Sequence, residues 1–214
     1  MARALVLDFG GVVTRTLHET HEQTEKALGL EPGTLTWLGP FAPETDSLWR
    51  AMQDEEISER EYYAERTREV SDLIDAGWTE MSQFIRAARG ADPLAIIRPE
   101  ALAAIATARS QGHLLAILSN ELDLFYGQEF RHKLPFLTDF DVIVDATYTH
   151  LLKPDSRAYL DCCEQLKLAP VDCVFVDDQR KNIAGAIAVG MKTVHFDVTH
   201  PDKSYRQALA LLNQ

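Results

Sequence analysis

Three short apolar runs, each followed by polar residues able to bind a phosphate group, constrain the fold of this 214-residue chain most strongly. The runs and their following residues are Ala4–Leu7 before Asp8, Leu114–Leu118 before Ser119, and Cys173–Val176 before Asp177. Apolar runs without polar alternation are typical of strands buried on both faces, as in a parallel sheet. The ligand crevice of an open parallel sheet lies outside the carboxyl ends of its strands. We therefore expect Asp8, Ser119 and Asp177 to meet in one crevice.

The order of helices and strands after residue 92 predicts an α/β fold. Helical and strand patterns alternate there, with predicted helices at 99–111, 156–166, 182–189 and 204–212 and predicted strands at 114–118, 141–144, 173–176 and 193–196. Such alternation is typical of parallel strands joined by helices that cover both faces of the sheet. The predicted fold is therefore a doubly wound parallel sheet.

The segment between residues 17 and 89 has a different pattern, with no convincing strand. It predicts helices at 20–28, 47–53, 58–70 and 79–89, and Ser58 and Glu61 have capping-box spacing at the start of the third. Because this segment interrupts the chain after the first strand, we expect it to overhang the crevice as a lid. The predicted domains are an α/β core of residues 1–15 and 92–214 and a smaller helical cap of residues 16–91.

Charge and composition narrow the range of partners and locations. Lysines and arginines number 21 against 33 aspartates and glutamates, a formal net charge of −12 that disfavours nucleic acid and anionic membranes as partners. No apolar stretch approaches the roughly 18 residues of a membrane span, and the N-terminus lacks a signal pattern, so a cytoplasmic location is expected. Cys162, Cys163 and Cys173 lack metal-ligand spacing and are expected to be buried, reduced thiols.

The polar residues after the apolar runs suit phosphate chemistry that depends on a divalent cation. Asp8 and the pair Asp177-Asp178 bring carboxylates together, and close carboxylates repel unless a cation lies between them. Gly10-Gly11 allows the backbone to approach a ligand closely. Each feature alone is common in structural roles, such as a helix cap at Ser119-Asn120. Their agreement in position favours a single site.

Four motifs, in order, resemble those of the haloacid dehalogenase (HAD) superfamily. They are Asp8-Phe9-Gly10-Gly11-Val12-Val13, Leu118-Ser119-Asn120, Lys153-Pro154-Asp155, and Val176-Asp177-Asp178 with Asn182. Any one motif is weak evidence, whereas all four in the family's order are specific. The resemblance covers the whole chain, because the helical insert occupies the position of the family's C1-type cap. It implies a Rossmann-like core and a capped, phosphatase-like member that hydrolyses phosphoric monoesters.

The resemblance also implies catalytic roles for residues of the first three motifs. Asp8 would be the nucleophile that takes the phosphoryl group as an aspartyl phosphate. Lys153 would pair with Asp8 and with the transferring phosphoryl group, and Ser119 would donate its hydroxyl to a phosphoryl oxygen. The physical demand is to neutralise charge on the phosphoryl group during transfer.

The remaining implied roles concern the cation and the substrate. Mg²⁺ would be bound by Asp8, the backbone carbonyl of Gly10 and Asp178, with Asp177 close enough to help directly or through water. Asn182 would orient the metal ligands. The backbone at Gly10, Gly11 and Asn120 would bind the substrate beside Ser119. The implied partner is a small phosphorylated molecule.

One position departs from the phosphatase pattern, which usually carries a second aspartate, acting as general acid and base, where this chain has Gly10. General acid catalysis contributes roughly 10²–10⁴-fold, so we expect a preference for substrates with good leaving groups. His18 and His21, three residues apart on an expected helix, are candidates for a replacement acid, although surface or hinge positions are more typical of such residues. Aromatic and arginine residues of the insert, such as Trp37, Tyr62 and Arg66, either grip a substrate or form the small core of the lid.

Two other functions compete with a magnesium-dependent phosphatase. In a carbon–halogen hydrolase of the same superfamily, Asp8 would attack carbon and no metal would be needed. Two features disfavour this alternative: the acidic pair Asp177-Asp178, which that branch tends to lack, and the residue after Phe9, which differs from the tyrosine usual in that branch. A weakly catalytic binding or regulatory protein is the third hypothesis, with Gly10 as its sequence support. A phosphomutase is disfavoured because it needs an acid/base at position 10.

Overall fold

The computed structural model describes residues 3–54, 56–89, 92–120, 122–126 and 131–214. Its centre is a five-stranded sheet in the order β3-β2-β1-β4-β5, in which every neighbouring pair is parallel. The strands are β1 (Ala4–Leu7), β2 (Leu114–Ser119), β3 (Val142–Asp145), β4 (Cys173–Asp177) and β5 (Lys192–His195). The predicted doubly wound parallel sheet is therefore confirmed, with strand ends within one residue of expectation.

Alternate residues of the central strands face two separate apolar layers. Leu5, Leu7 and Ile117 belong to one cluster, whereas Val6, Ala116 and Leu118 belong to the cluster on the other face. Both faces are buried, which explains why these strands read as continuous apolar runs. The three cysteines are buried and form no disulfide, as expected for reduced thiols.

Helices cover both faces of the sheet. Helices α5 (Pro99–Ser110) and α10 (Pro201–Leu212) supply buried residues to the first layer, and α8 (Ser156–Leu166) and α9 (Arg180–Ala188) supply them to the second. Two short helices, α6 (Leu122–Tyr126) and α7 (Ala146–Thr149), follow β2 and β3. The helix predicted at 182–189 begins two residues earlier, and the helix predicted at 204–212 begins at Pro201.

The helical insert has its own apolar cluster. Its helices are α1 (His21–Leu28), α2 (Ser47–Gln53), α3 (Glu59–Leu73) and α4 (Met81–Arg89). Leu17, Trp37 and Phe84 are among the buried residues of this cluster. Ser58 and Glu61 form the predicted capping box at the start of α3. Thr79 does not open α4, because the helix begins at Met81 and the Gln83 side chain accepts the N–H groups of residues 79 and 80.

Two linkers join the insert to the sheet, and they run side by side. Thr14 and Ile97 form an antiparallel bridge, the Arg15 N–H donates to the Ile96 carbonyl at 2.7 Å, and the Arg98 N–H donates to the Val13 carbonyl at 3.0 Å. The first linker lies next to the predicted boundary at residue 16. The second predicted boundary falls beside residues 90 and 91, which lie outside the described residues.

Within the described parts of the chain, no helix combines the length and the apolar character that crossing a bilayer requires.

Candidate active site

Asp8 and Asp177 share one buried lysine at the carboxyl edge of the sheet. Asp8 follows β1 and Asp177 ends the neighbouring strand β4, and the Asp8 N–H donates to the Val176 carbonyl at 2.9 Å. The Lys153 Nζ lies 2.7 Å from Asp8 Oδ1 and 2.7 Å from Asp177 Oδ2. The Lys153 side chain is only 2% exposed and that of Asp177 is fully buried. Three predicted site residues from distant parts of the sequence thus meet, as the sequence motifs indicate.

The charge states of this group follow from burial and from mutual contact. Burial raises the pKa of Asp8 to about 7, and the nearby Asp177 acts in the same direction, while Lys153 opposes both. Burial works against the charged form of Lys153, but Asp177 and Asp8 outweigh it and raise the pKa of this amine. Lys153 therefore stays protonated, and Asp8 is the member whose charge depends on what else binds beside it.

Asp177 is held by donors on both of its carboxylate oxygens. Its Oδ1 accepts the backbone N–H of Gln179 at 2.8 Å, and Asn182 Nδ2 lies 3.1 Å from each oxygen. The Asn182 backbone carbonyl accepts the hydroxyl of buried Tyr159 at 2.8 Å. With the lysine on Oδ2, this arrangement fixes Asp177 as the anchor of Lys153. Asn182 therefore contacts Asp177 of the acidic pair, and its role in orienting the metal ligands stays a prediction.

Asp178 adds a third carboxylate to the group. Asp8, Asp177 and Asp178 each offer a carboxylate oxygen, and these atoms all lie within 4.8 Å of one another. We call the set of Asp8, Lys153, Asp177 and Asp178 the sheet-edge cluster. Close carboxylates repel one another unless a cation lies between them, and carboxylate oxygens are the ligands that Mg²⁺ prefers. The residues therefore fit a divalent cation in charge and in donor type.

The loop after Asp8 lies directly against this cluster. Gly11 has a φ of 76°, and a Cβ at this position would come within 2.5 Å of Asp178 Oδ2, so no other residue fits without a shift. Gly10 has an ordinary φ of −70°, and a Cβ there would meet nothing within 4 Å. The missing side chain at position 10 therefore leaves open space beside the expected nucleophile, whereas the missing side chain at position 11 admits Asp178.

Ser119 and Asn120 lie at the carboxyl end of β2, the strand on the other side of β1. Ser119 ends the strand and is 6% exposed. The Asn120 side chain has a contact that the sequence motifs did not indicate, because its Oδ1 accepts the Lys153 N–H at 2.7 Å and its Nδ2 donates to the Lys153 carbonyl at 3.1 Å. The side chain of Asn120 thus holds the backbone from which the cluster's lysine extends.

The histidines and aromatic residues of the insert form an internal network. Arg66 Nη2 donates to Asp46 Oδ1 at 2.6 Å, the Tyr62 hydroxyl donates to Asp46 Oδ2 at 3.1 Å, and His18 Nε2 lies 2.8 Å from that hydroxyl. We call His18, Asp46, Tyr62 and Arg66 the cap network. The Arg66 guanidinium also lies over the rings of Trp37 and Tyr62. These residues form the interior of the insert, as one of the two sequence hypotheses expected.

The cap network disfavours His18 as a replacement proton donor. Burial lowers the pKa of His18 to about 3, and the neighbouring His21 acts in the same direction. A neutral imidazole that already contacts Tyr62 has no readily released proton near neutral pH. Burial also lowers the pKa of His21, whose ring packs edge-on against Trp37 with centroids 4.3 Å apart.

Sequence reasoning missed Arg98, which contacts both the insert and the segment Phe9–Val13 that follows Asp8, here called the Asp8 loop. Its guanidinium is bound to the Gly11 carbonyl and to the Glu19 carboxylate. The sequence showed this residue only as the one before Pro99, at the start of a predicted helix. Its contacts depend on two segments about 80 residues away, so no local pattern reports them.

The parallel sheet, the helical insert after β1 and the sheet-edge cluster define an α/β protein with a carboxylate–lysine centre at the carboxyl edge of its strands. The chain belongs to the haloacid dehalogenase-like hydrolases, whose family model matches residues 2–190. The comparison therefore confirms the family that the four motifs indicated.

Curated relatives carry different activities in their names. "Acyl-CoA dehydrogenase family member 10" of Mus musculus is 33% identical over 110 residues, covering 51% of this chain but only 10% of the mouse protein. "(S)-2-haloacid dehalogenase 1" of Pseudomonas sp. (strain CBS-3) is 27% identical over 177 residues, 78% of this chain and 77% of that protein. "Phosphatase MT3486" of Mycobacterium tuberculosis is 28% identical over 99 residues, 46% of each chain. The relatives thus include both a phosphatase and dehalogenases.

Solved structures agree on the fold. The L-2-haloacid dehalogenase RSc1362 has a TM-score of 0.61 at 18% identity, covering 100% of this chain and 99% of that one. A HAD-superfamily hydrolase of Geobacter sulfurreducens has a TM-score of 0.60 at 16% identity, covering 99% and 96%. At these identities the likeness concerns the fold alone.

Proposed function

We propose that this hydrolase is a magnesium-dependent phosphatase that acts on a small organic phosphomonoester through an aspartyl phosphate on Asp8. The observation that carries the proposal is the geometry of the sheet-edge cluster, in which Asp8, Asp177 and Asp178 each bring a carboxylate oxygen within 4.8 Å of the other two, beside buried Lys153. Such a group of oxygen ligands suits a divalent cation, which in turn attracts a phosphate dianion. Asp8, Asp178 and the Gly10 carbonyl would hold Mg²⁺, with Asp177 as the anchor behind them.

The chain's own residues would carry the steps as follows. A carboxylate oxygen of Asp8 attacks phosphorus, and the bond from phosphorus to the ester oxygen breaks with its electron pair on that oxygen. Water then attacks the aspartyl phosphate, which releases inorganic phosphate and restores the carboxylate. Lys153 holds one oxygen of Asp8 throughout, and Ser119 donates to a phosphoryl oxygen. Bound Mg²⁺ supplies Lewis-acid stabilisation of the phosphoryl charge.

The open space at Gly10 supports a preference for good leaving groups. No side chain at this position can protonate the departing oxygen, and His18 is a neutral residue inside the cap network. We therefore expect turnover of a series of phosphate esters to fall steeply as the pKa of the leaving alcohol rises. Turnover that is independent of leaving-group pKa would contradict this part of the proposal.

The helical insert would act as the cap over this site. We propose the division into a core of residues 1–15 and 92–214 and a cap of residues 16–91, because the insert has its own apolar cluster and joins the sheet through two adjacent linkers. A cap of this kind excludes water from the crevice and contacts the organic part of the substrate.

The test is phosphate release from a panel of metabolite phosphates, with and without Mg²⁺. We expect activity that EDTA abolishes and that Asp8→Asn lowers by several orders of magnitude. The matched control is Asp155→Asn, since Asp155 belongs to a motif but pairs with exposed Arg157 and caps α8. Trapping of wild-type protein with beryllium fluoride and Mg²⁺ separates a competent site from a regulatory protein that has lost turnover.

A 2-haloacid dehalogenase is the second candidate, and the names of two curated relatives favour it. In that reaction Asp8 would attack the carbon that bears the halogen, halide would leave, and water would hydrolyse the resulting ester. Halide release from a 2-haloacid that persists in EDTA would establish this activity and overturn the magnesium-dependent one.

A further inference from the structure

Arg98 has the largest fully buried side chain among the described residues, and it lies where the chain returns from the insert to the sheet. It is 2% exposed and immediately precedes α5. Its Nε and Nη2 donate to the Gly11 carbonyl at 3.1 and 3.0 Å. Its Nη1 and Nη2 donate to the two carboxylate oxygens of Glu19, each at 2.6 Å. One guanidinium therefore joins the Asp8 loop to the first residues of the insert.

Glu19 makes this contact part of the linker geometry. In addition to binding Arg98, Glu19 Oε2 accepts hydrogen bonds from the Thr16 backbone N–H at 2.8 Å and from the Thr16 hydroxyl at 2.9 Å. Thr16 lies on the first linker and Arg98 ends the second. The ion pair thus ties both linkers together at the point where the insert begins.

Neighbouring carbonyls of the Asp8 loop are anchored as well. The hydroxyl of buried Tyr205 donates to the Val12 carbonyl at 3.0 Å, and the Arg98 N–H donates to the Val13 carbonyl at 3.0 Å. The Thr14 N–H donates to the Phe9 carbonyl at 2.9 Å. The orientation of the Gly10 carbonyl is therefore set by bonds to the peptides on both sides of it.

We propose that Arg98 is a positioning residue, which fixes the Gly10-Gly11 turn against Asp178. Because Arg98 also binds Glu19 at the start of the insert, the position of the insert affects the geometry of the cation site. The inference rests on the proposed function for the identity of the cation, but the contacts hold for either candidate reaction. Arginine suits this role because its planar fork makes two bonds to the Gly11 carbonyl and two to the Glu19 carboxylate, whereas the ammonium of lysine has only three donors.

The simpler interpretation is that the ion pair only fastens the insert to the core. On that interpretation, loss of Arg98 would lower stability and leave cation binding by the folded protein unchanged. Arg86 supplies a matched control, because its Nη2 donates to the Leu124 carbonyl and so joins the insert to the core away from the Asp8 loop.

The experiment measures Mg²⁺ binding to the 214-residue chain by isothermal titration calorimetry, for wild type, Arg98→Lys and Arg86→Gln. Loss of a group that orients metal ligands typically costs 10–100-fold in affinity, so we expect roughly a tenfold or greater rise in Kd for Arg98→Lys and no change for Arg86→Gln. Hydrogen exchange of the amides at 9–14, followed without Mg²⁺, should be faster in Arg98→Lys alone.

Glu19→Gln keeps the donors to the Gly11 carbonyl and covers the case in which Arg98→Lys does not fold. We expect a smaller rise in Kd for this variant, with faster amide exchange at 14–16. Equal Mg²⁺ affinity and equal exchange at 9–14 in wild type and Arg98→Lys would overturn the inference. Wild-type protein that binds no Mg²⁺ would instead overturn the proposed function, which separates the two failures.

Discussion

The sheet-edge cluster and the cap network are both buried groups of charged and polar side chains, but they differ in charge balance. In the cap network, Asp46 accepts hydrogen bonds from Arg66 and Tyr62, and His18 is neutral. In the sheet-edge cluster, Lys153 is shared by Asp8 and Asp177, and Asp178 adds further negative charge. The cap network thus contains one carboxylate beside one guanidinium, whereas the sheet-edge cluster brings three carboxylates together, an arrangement that suits a divalent cation.

The largest predicted effects come from replacing the positively charged side chain of each group, Lys153 in the sheet-edge cluster and Arg66 in the cap network. Lys153→Met and Arg66→Met each strand a buried carboxylate, and breaking such a pair costs about 3–5 kcal/mol of unfolding free energy. Excess Mg²⁺ should restore much of the loss in Lys153→Met, because binding at about 100 times Kd contributes roughly 2.7 kcal/mol. It should restore nothing in Arg66→Met. Urea unfolding at pH 8, with and without Mg²⁺, measures both.

The double variant Asp8→Asn with Lys153→Met is the control for this comparison. It removes one carboxylate together with the ammonium, so its metal-free stability should exceed that of Lys153→Met. An identical response to Mg²⁺ in the Lys153→Met and Arg66→Met proteins would remove the distinction between the two groups.

The second prediction concerns acid, which should affect the cap network through His18. The pKa of His18 is about 3 in the folded protein and about 6.5 when unfolded, so the unfolded chain binds the extra proton between these values. The free energy of unfolding should therefore fall as pH drops below 6.5, by at most about 1.4 kcal/mol for each pH unit. Fluorescence of Trp37 and Trp49, which pack against His18, reports the transition.

His18→Gln should flatten this pH dependence, and His132→Gln should leave it intact because the His132 side chain is exposed. The same slope in wild type and His18→Gln would show that other groups cause the acid sensitivity. Asp8 affects stability in the opposite direction. Burial raises its pKa in the folded protein, so its contribution to the free energy of unfolding rises as pH falls.

Sequence patterns predicted that the carboxylates of the sheet-edge cluster lie together, and the family resemblance added Lys153. Asp8 and Asp177 come at the ends of apolar runs, and the topology of parallel strands brings such ends together. Ser119 was found in the same way. The helices of the insert were also predicted from periodicity and caps, although α4 begins two residues late because Gln83 takes over the capping role expected of Thr79.

Contacts made by side chains across long sequence separations could not be predicted in this way. Arg98 bonds to Gly11 and Glu19, and Asn120 bonds to the backbone of Lys153, yet none of these pairs has a characteristic spacing. The cap network was equally hidden, because whether aromatic and arginine residues grip a ligand or each other depends on tertiary packing. The sequence thus predicted which residues meet at the sheet edge, whereas it did not predict the residues that hold them in position.

The third prediction compares a hydrogen-bonding side chain from each region. Asn120→Ala removes two bonds to the Lys153 backbone, and Tyr62→Phe removes the hydroxyl between Asp46 and His18. Each should cost about 1–3 kcal/mol, because buried partners lose their bonds. Only Asn120→Ala should also lower kcat for phosphate release, since only that change frees the backbone of Lys153. A comparable loss of kcat in Tyr62→Phe would join the two regions functionally and weaken the comparison.

The smallest predicted effect separates two glycines, one from each region. Gly10 has an ordinary φ of −70° and open space at its Cβ position, whereas a Cβ on Gly39 in the insert would run into the His18 ring. Gly10→Ala should therefore raise the free energy of unfolding by about 0.4–1 kcal/mol, and Gly39→Ala should lower it by more than that. Urea unfolding without Mg²⁺ measures both.

The space beside Asp8 that contains no protein atoms, yet accepts a methyl group, is the space that a bound substrate would occupy. Gly10→Ala should thus raise KM for phosphate esters while raising the free energy of unfolding. A lower free energy of unfolding in Gly10→Ala would mean that the folded state itself requires a glycine at this position.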